Sequence, residues 1–286
     1  MTGSAALAIP LPLFKGSLEF SEGINPAAIS ESNDNLKRFC NYLGEDTDLK
    51  SRFNLTQLNI DLAKGLFLNS NAPSGYGVGS SAILVAAIFD AYFKQNDTLT
   101  IRELKPLFAK MESFFHGKSS GFDPLVCYLR KSFLIDDDGR QLMVDASHQS
   151  TLPGTFLIDT KMSRETAPLV AIFKTKLEDS KFKNAIIHTL NPLVKSCVSS
   201  YLDFNESAFF SNLRSLSDFQ LKHFHEMIPS AFLSHWKNGL YSENYFLKLC
   251  GAGGGGFILG FTKKLSNIQH LAESLDVHIL DLKVAS

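Results

Sequence analysis

Pro73-Ser74-Gly75-Tyr76-Gly77-Val78-Gly79-Ser80-Ser81 is the stretch on which the fold turns. It follows a predicted strand at Gly65–Asn69 and opens a predicted helix at Ser80–Phe93, which is rich in Ala, Leu and Ile and free of Gly and Pro. Glycines allow positive φ and let a backbone approach a ligand with no Cβ in the way. The helix behind them offers unpaired N–H groups and a partial positive charge. Together these suit a polyphosphate, and the hydroxyls of Ser80 and Ser81 can cap the helix, touch a phosphate or meet a phosphate-bound Mg²⁺. The loop lacks the GK[ST] ending of a Walker A motif, and no βαβ repeat supports a dinucleotide fingerprint. Taken alone it is also compatible with an ordinary glycine turn ending in a serine cap.

Outward from this loop, the first 75 residues read mostly as strands and loops. Leu11–Phe20 alternates as a strand does, and Phe53–Ile60 with Gly65–Asn69 reads as a strand pair. Asn33–Leu43 reads as a helix with Leu36, Phe39, Cys40 and Leu43 on one face. Ile101–Phe115 is a second amphipathic helix, carrying Leu104, Leu107, Phe108, Met111 and Phe115 at helical spacing. Lys131–Ile135 and Gln141–Val144 flank Asp136-Asp137-Asp138-Gly139, a hairpin turn signal. Beyond residue 150, Gly154–Asp159 and Pro168–Lys174 read as strands. A helical tract at Asp179–Trp236 is broken near Pro192, Asn205 and Pro229. Tyr245–Leu249, Phe257–Phe261 and Val277–Leu282 complete the strands. This order predicts an α+β protein of two domains, 1–150 and 151–286.

Two further segments carry chemistry. Glu112, near the end of the second helix, precedes Asp123 in the loop His116-Gly117-Lys118-Ser119-Ser120-Gly121-Phe122-Asp123-Pro124. Phosphoryl transfer to an alcohol needs one carboxylate on Mg²⁺ and another to position or deprotonate the hydroxyl, although a surface Glu and a turn-capping Asp fit the same letters. Lys248-Leu249-Cys250-Gly251-Ala252-Gly253-Gly254-Gly255-Gly256-Phe257 holds five glycines in six positions. Ordering them costs much conformational entropy. Flanking strands argue against a flexible linker, so we expect close backbone approach, either to a ligand or to the other glycine loop.

Bulk properties narrow the classes. Of 286 residues, 44% are hydrophobic and 20% charged, with 28 basic against 29 acidic side chains. A net charge of −1 argues against nucleic acid or an anionic membrane held by bulk charge. Cys40, Cys127, Cys197 and Cys250 lie far apart without zinc-ligand spacing, as expected of reduced thiols. No run of 18 apolar residues and no signal-peptide pattern is evident, so a cytoplasmic location is expected.

The three segments, in this order, resemble the GHMP kinase superfamily, nearest to mevalonate kinase. Pro73–Ser81 is similar to its PxGxGLGSSAA motif with Val78 for Leu. Glu112–Asp123 is similar to ExxxHGxxSGxD, and Lys248–Gly256 to KLTGAGGGG with Cys250 for Thr. The resemblance implies a ribosomal protein S5 domain 2-like N-terminal domain joined to a ferredoxin-like C-terminal domain, with ATP in the cleft. It implies that Pro73 and Gly75, Tyr76, Gly77, Val78, Gly79, Ser80 and Ser81 wrap the triphosphate, that Ser81 and Glu112 hold Mg²⁺, and that Asp123 acts on the substrate hydroxyl. His116, Gly117, Ser120, Gly121, Gly251, Ala252 and Gly253 would border a small-molecule alcohol substrate. The family opens with a strand bearing a motif like GKxxLxGEH, and Met1–Pro10 resembles the segment just after it. We expect that strand and its lysine upstream of Met1; a non-catalytic nucleotide-binding relative is the alternative. Neither nucleic acid nor membrane is expected as a partner, and the oligomer is expected to be a monomer or homodimer.

Overall fold

The computed structural model describes residues 5–11, 13–21, 26–94, 99–136, 140–144, 154–164 and 166–280. In chain order its elements begin with β1 (Ala6–Ala8), β2 (Gly16–Phe20), α1 (Pro26–Glu45), α2 (Thr47–Arg52), α3 (Leu55–Ala63) and β3 (Leu66–Ser70). Then come α4 (Ser80–Tyr92), α5 (Ile101–His116), α6 (Phe122–Leu129), β4 (Ser132–Ile135), β5 (Gln141–Val144) and β6 (Thr155–Asp159). The remainder comprises α7 (Thr166–Lys176), α8 (Ser180–Ala185), α9 (Asn191–Leu202), α10 (Glu206–His223), α11 (Leu233–Ser242), β7 (Phe246–Leu249), β8 (Phe257–Phe261), α12 (Gln269–Ser274) and β9 (Asp276–Leu280). Among the described residues every strand pairing is antiparallel, so the class is α+β, as the sequence predicts. No helix among them is long and apolar enough to cross a membrane.

The chain groups into two compact units. One, the helical unit, takes Phe14–Pro73 and Val78–Arg130. The predicted helix faces supply its core: Leu36, Phe39, Cys40 and Leu43 of α1 are all buried, as are Leu104, Leu107, Phe108 and Met111 of α5, while Phe115 is half-buried. Burying such a face stabilises each helix by about 1.5–3 kcal/mol per large side chain. Phe89 of α4 meets Phe108 and Tyr128 edge-on, each with ring centroids 4.9 Å apart. A capping box of Thr100 and Glu103 starts α5. The predicted strand at Phe53–Ile60 is instead the start of α3. Asn54 accepts the amide of Gln57 at 3.3 Å and nucleates a helix whose Leu58 and Leu62 are buried one turn apart. The partner of β3 is β2, in the register Leu18↔Leu68.

The other, the sheet unit, takes Met1–Leu13, Ser74–Gly77 and Lys131–Ser286. Its four-stranded sheet runs β7-β8-β6-β9. Counted along the chain this is the order second-third-first-fourth, with helices after the first and third strands, which is the ferredoxin-like arrangement. Phe156, Ile158, Leu247 and Ile258 bury one face against Phe182, Phe232 and Trp236. Trp236 is 1% exposed and donates its indole N–H to the Ser217 carbonyl at 3.1 Å. The predicted hairpin forms between β4 and β5, in the register Phe133↔Met143, while Asp137–Gly139 of its turn lie outside the described residues. The predicted strand at Pro168–Lys174 is α7. Leu169, Phe173 and Leu177 recur every fourth residue and pack on the core. Pro168 sits in the first turn, where no intrahelical N–H bond is lost. Near Pro192 the helix does not break: a π turn at Ile186–Leu190 widens it just before the proline, which lacks the N–H an ordinary turn would need.

Candidate active site

In the sheet unit the two glycine stretches meet. Gly75 and Gly77 hold φ of +77° and +68°, and every glycine of 251–256 has positive φ as well. A Cβ on Gly256 would stand 2.4 Å from the Tyr76 carbonyl oxygen, one on Gly255 2.6 Å from that of Met162, and one on Gly253 2.5 Å from that of Met227. Of the two expectations for this run, close approach to the other glycine loop is realised, at Gly256. Tyr76 also packs edge-on against Phe257, with centroids 5.4 Å apart. Gly251 stays exposed, Ala252 half-buried and Gly253 buried.

Between these stretches lies Arg164, which no motif singles out. Its amide donates to the Gly75 carbonyl at 3.3 Å and its Nη1 to the Cys250 carbonyl at 2.5 Å. A Cβ on Gly77 would overlap its Nη2 at 1.7 Å, and one on Gly251 would stand 3.0 Å from the same atom. The turn that carries Arg164 is anchored twice. Thr160 donates its hydroxyl to the Gly256 carbonyl at 2.7 Å, and Lys161 pairs with both Asp159 and Asp276. Burial pushes the Cys250 thiol up, ahead of the opposing pull of Lys248 and Arg164.

In the helical unit, Gly79 at φ +81° occupies the N-cap position of α4, and no side chain caps that helix. A helix start that its N-cap residue leaves without a side-chain cap is the setting that suits an anion. Ser80 and Ser81 are half-buried in the first turn. Ser81 donates its hydroxyl to Glu112 Oε1 at 3.4 Å, so two residues 31 positions apart converge. Glu112 is 5% exposed, and Ser119 also donates to it, at Oε2. A buried carboxylate and a hydroxyl are hard oxygen donors of the kind Mg²⁺ takes from a protein, with phosphates completing the set. The pair fits that ion.

Gly117, at φ +69°, ends α5, and no atom of the described residues lies within 4 Å of where its Cβ would be. Ser120 accepts the Phe122 amide at 3.3 Å, and Gly121 at φ +70° is the N-cap of α6. Asp123 lies exposed in the first turn of that helix, where the helix dipole favours a carboxylate. One turn on, Cys127 has its thiol pushed up by burial first, with Asp123 adding to the effect. The side chain of His116 lies outside the described residues. Pro73 and Val78 are half-buried. Sequence reasoning missed Arg164 and Ser119. The first has no local signal, and the second stands at an unspecified position of its motif.

Residues 36–131 match the GHMP kinases N terminal domain. No curated protein matches the chain in sequence. Among solved structures, L. major mevalonate kinase in complex with R-mevalonate shares 16% identity at a TM-score of 0.68, over 97% of this chain and 89% of that one. Lactococcus lactis galactokinase complexed with galactose shares 14% at 0.60, over 98% and 88%. Streptococcus pneumoniae phosphomevalonate kinase shares 14% at 0.60, over 98% and 92%. Residues 36–131 are thus similar to the GHMP kinase N-terminal domain, and the chain shares its fold with these kinases, mevalonate kinase among them.

Proposed function

We propose that the protein transfers the γ-phosphoryl group of ATP to the hydroxyl of a small molecule, with mevalonate the first acceptor to test. The observation that carries this reading is the convergence of Ser81 and Glu112, 3.4 Å apart, in the first turn behind Gly79. In it, the backbone of Gly75–Ser81 wraps the triphosphate, where positive φ and bare amides replace side chains. Ser81 and Glu112 hold Mg²⁺, which when bound neutralises charge on the transferring phosphoryl group. Asp123, exposed at a helix start, orients the acceptor hydroxyl and takes its proton. Neighbours solved with R-mevalonate and with galactose support a hydroxyl acceptor without selecting one.

Coupled ADP detection with mevalonate, phosphomevalonate, galactose and homoserine tests the proposal. ADP release dependent on one alcohol is expected. Nucleotide binding with no turnover on any of them would instead favour a non-catalytic binding protein. Asp123→Asn is expected to lower kcat by roughly 10²–10⁴ while ATP affinity holds. Near-normal turnover removes Asp123 from this role.

A further inference from the structure

A glutamate that is to hold a metal has three side-chain torsions to fix, and burial alone does not fix them. Taking a carboxylate out of water is unfavourable unless its oxygens are hydrogen-bonded. Glu112 meets that demand on two sides. Ser81 reaches Oε1 from the start of α4 at 3.4 Å, a long contact, whereas Ser119 donates to Oε2 at shorter range.

Ser119 is itself held by its surroundings. It lies seven residues beyond Glu112, in the loop that follows α5. The Gly117 amide closes that helix on the Ser113 carbonyl at 2.8 Å. At the far end of the loop Gly121 lies flat against α5. A Cβ there would stand 2.2 Å from the Lys105 carbonyl oxygen and 2.4 Å from the Ala109 nitrogen. Between these two pins, Ser119 Oγ accepts the Gly121 amide at 3.0 Å. A hydroxyl that accepts from an amide on one side has its proton to give on the other, and that proton faces Glu112. The neighbouring Ser120 accepts the amide of Phe122 at 3.3 Å in the same manner, but the hydroxyl that meets the Glu112 carboxylate is that of Ser119.

We propose that Ser119 is a positioning residue: through its hydroxyl, pinned by the Gly121 amide, it sets the orientation in which Glu112 presents its carboxylate to a divalent cation. This rests on the kinase reading above, in which Glu112 is a metal ligand. Partners of this kind, one step removed from the metal, typically govern affinity by 10–100-fold.

The test is Mn²⁺ binding to the full chain with a nonhydrolysable ATP analogue, read from the EPR signal of free Mn²⁺. Ser119→Ala is expected to weaken Mn²⁺ about 10-fold or more. Affinity for the analogue in EDTA should hold, as should the unfolding midpoint within a few degrees. Ser119→Thr, which keeps the hydroxyl, should restore most of the loss, and Ser119→Cys, a weak donor of similar size, should fall between. Ser113→Ala, which removes a hydroxyl bonded to the Ala109 carbonyl of its own helix, should leave Mn²⁺ binding unchanged. Equal affinity in the parent and in Ser119→Ala overturns the inference and leaves the kinase reading standing. Parent-like Mn²⁺ binding by Glu112→Gln overturns both.

Discussion

The two glycine-rich stretches share a composition and obey different constraints. At 251–256 the glycines answer mainly to the chain itself. The Cβ sites at 253, 255 and 256 are taken by the carbonyl oxygens of Met227, Met162 and Tyr76, all within 2.6 Å, and backbone cannot step aside. At Gly75 the nearest atom of the described residues to a Cβ would be 3.8 Å away, an ordinary contact, so among them its φ of +77° is what asks for glycine. Gly77 falls between, blocked by the guanidinium of Arg164. The denser run of glycines therefore reports close packing of backbone on backbone. The sparser loop is the one with room left beside it.

The sharpest way to break this contrast is Gly256→Ala. Steric overlap with the Tyr76 carbonyl adds to the cost of a non-glycine residue at φ +68°. A loss of roughly 2–4 kcal/mol in urea unfolding is expected; a loss below about 1 kcal/mol would mean the run yields easily. Gly77→Ala should cost less, because a flexible side chain can move. Combining it with Arg164→Ala should recover part of the loss, with a coupling of about 0.5–1.5 kcal/mol in a double-mutant cycle. Strict additivity would show that Arg164 does not wedge against Gly77. The smallest effect is expected at Gly75→Ala, about 1 kcal/mol from backbone conformation alone. If the phosphate reading holds, this variant loses ATP affinity out of proportion to its stability.

Much of the fold was legible because it rests on periodic burial. Leu36, Phe39, Cys40 and Leu43 announce α1, and the apolar face from Leu104 to Met111 announces α5. The misread segments show where local signals conflict. Phe53–Ile60 alternates apolar and polar residues, yet the Asn54 cap and the Leu58–Leu62 spacing prevail. In α7, Val170 and Ile172 favour a strand by their branching, but they are the exposed ones; Leu169 and Phe173 make the core contacts. At the candidate site, Glu112 and Ser81 could be named from motifs, although their meeting is a tertiary fact. Arg164 could not be found that way. It bonds a carbonyl 86 residues along the chain, and its importance is visible only through the two glycines it crowds. Ser119 needed the loop to fold back before its hydroxyl found an acid.

The ferredoxin-like order also sets a timetable for the nascent chain. Strand β6 lies inside its sheet, between β8 and β9, but it is synthesised before either, and Phe156 waits until Gly260 to find its partner. At ribosomal speeds of roughly 5–20 residues per second, that interval lasts on the order of 5–20 s. Throughout it Phe156, Leu157 and Ile158, all buried in the finished protein, have neither neighbouring strand of their sheet. Refolding of the sheet unit should accordingly be slow and concentration-sensitive, with chaperone dependence traceable to those three residues.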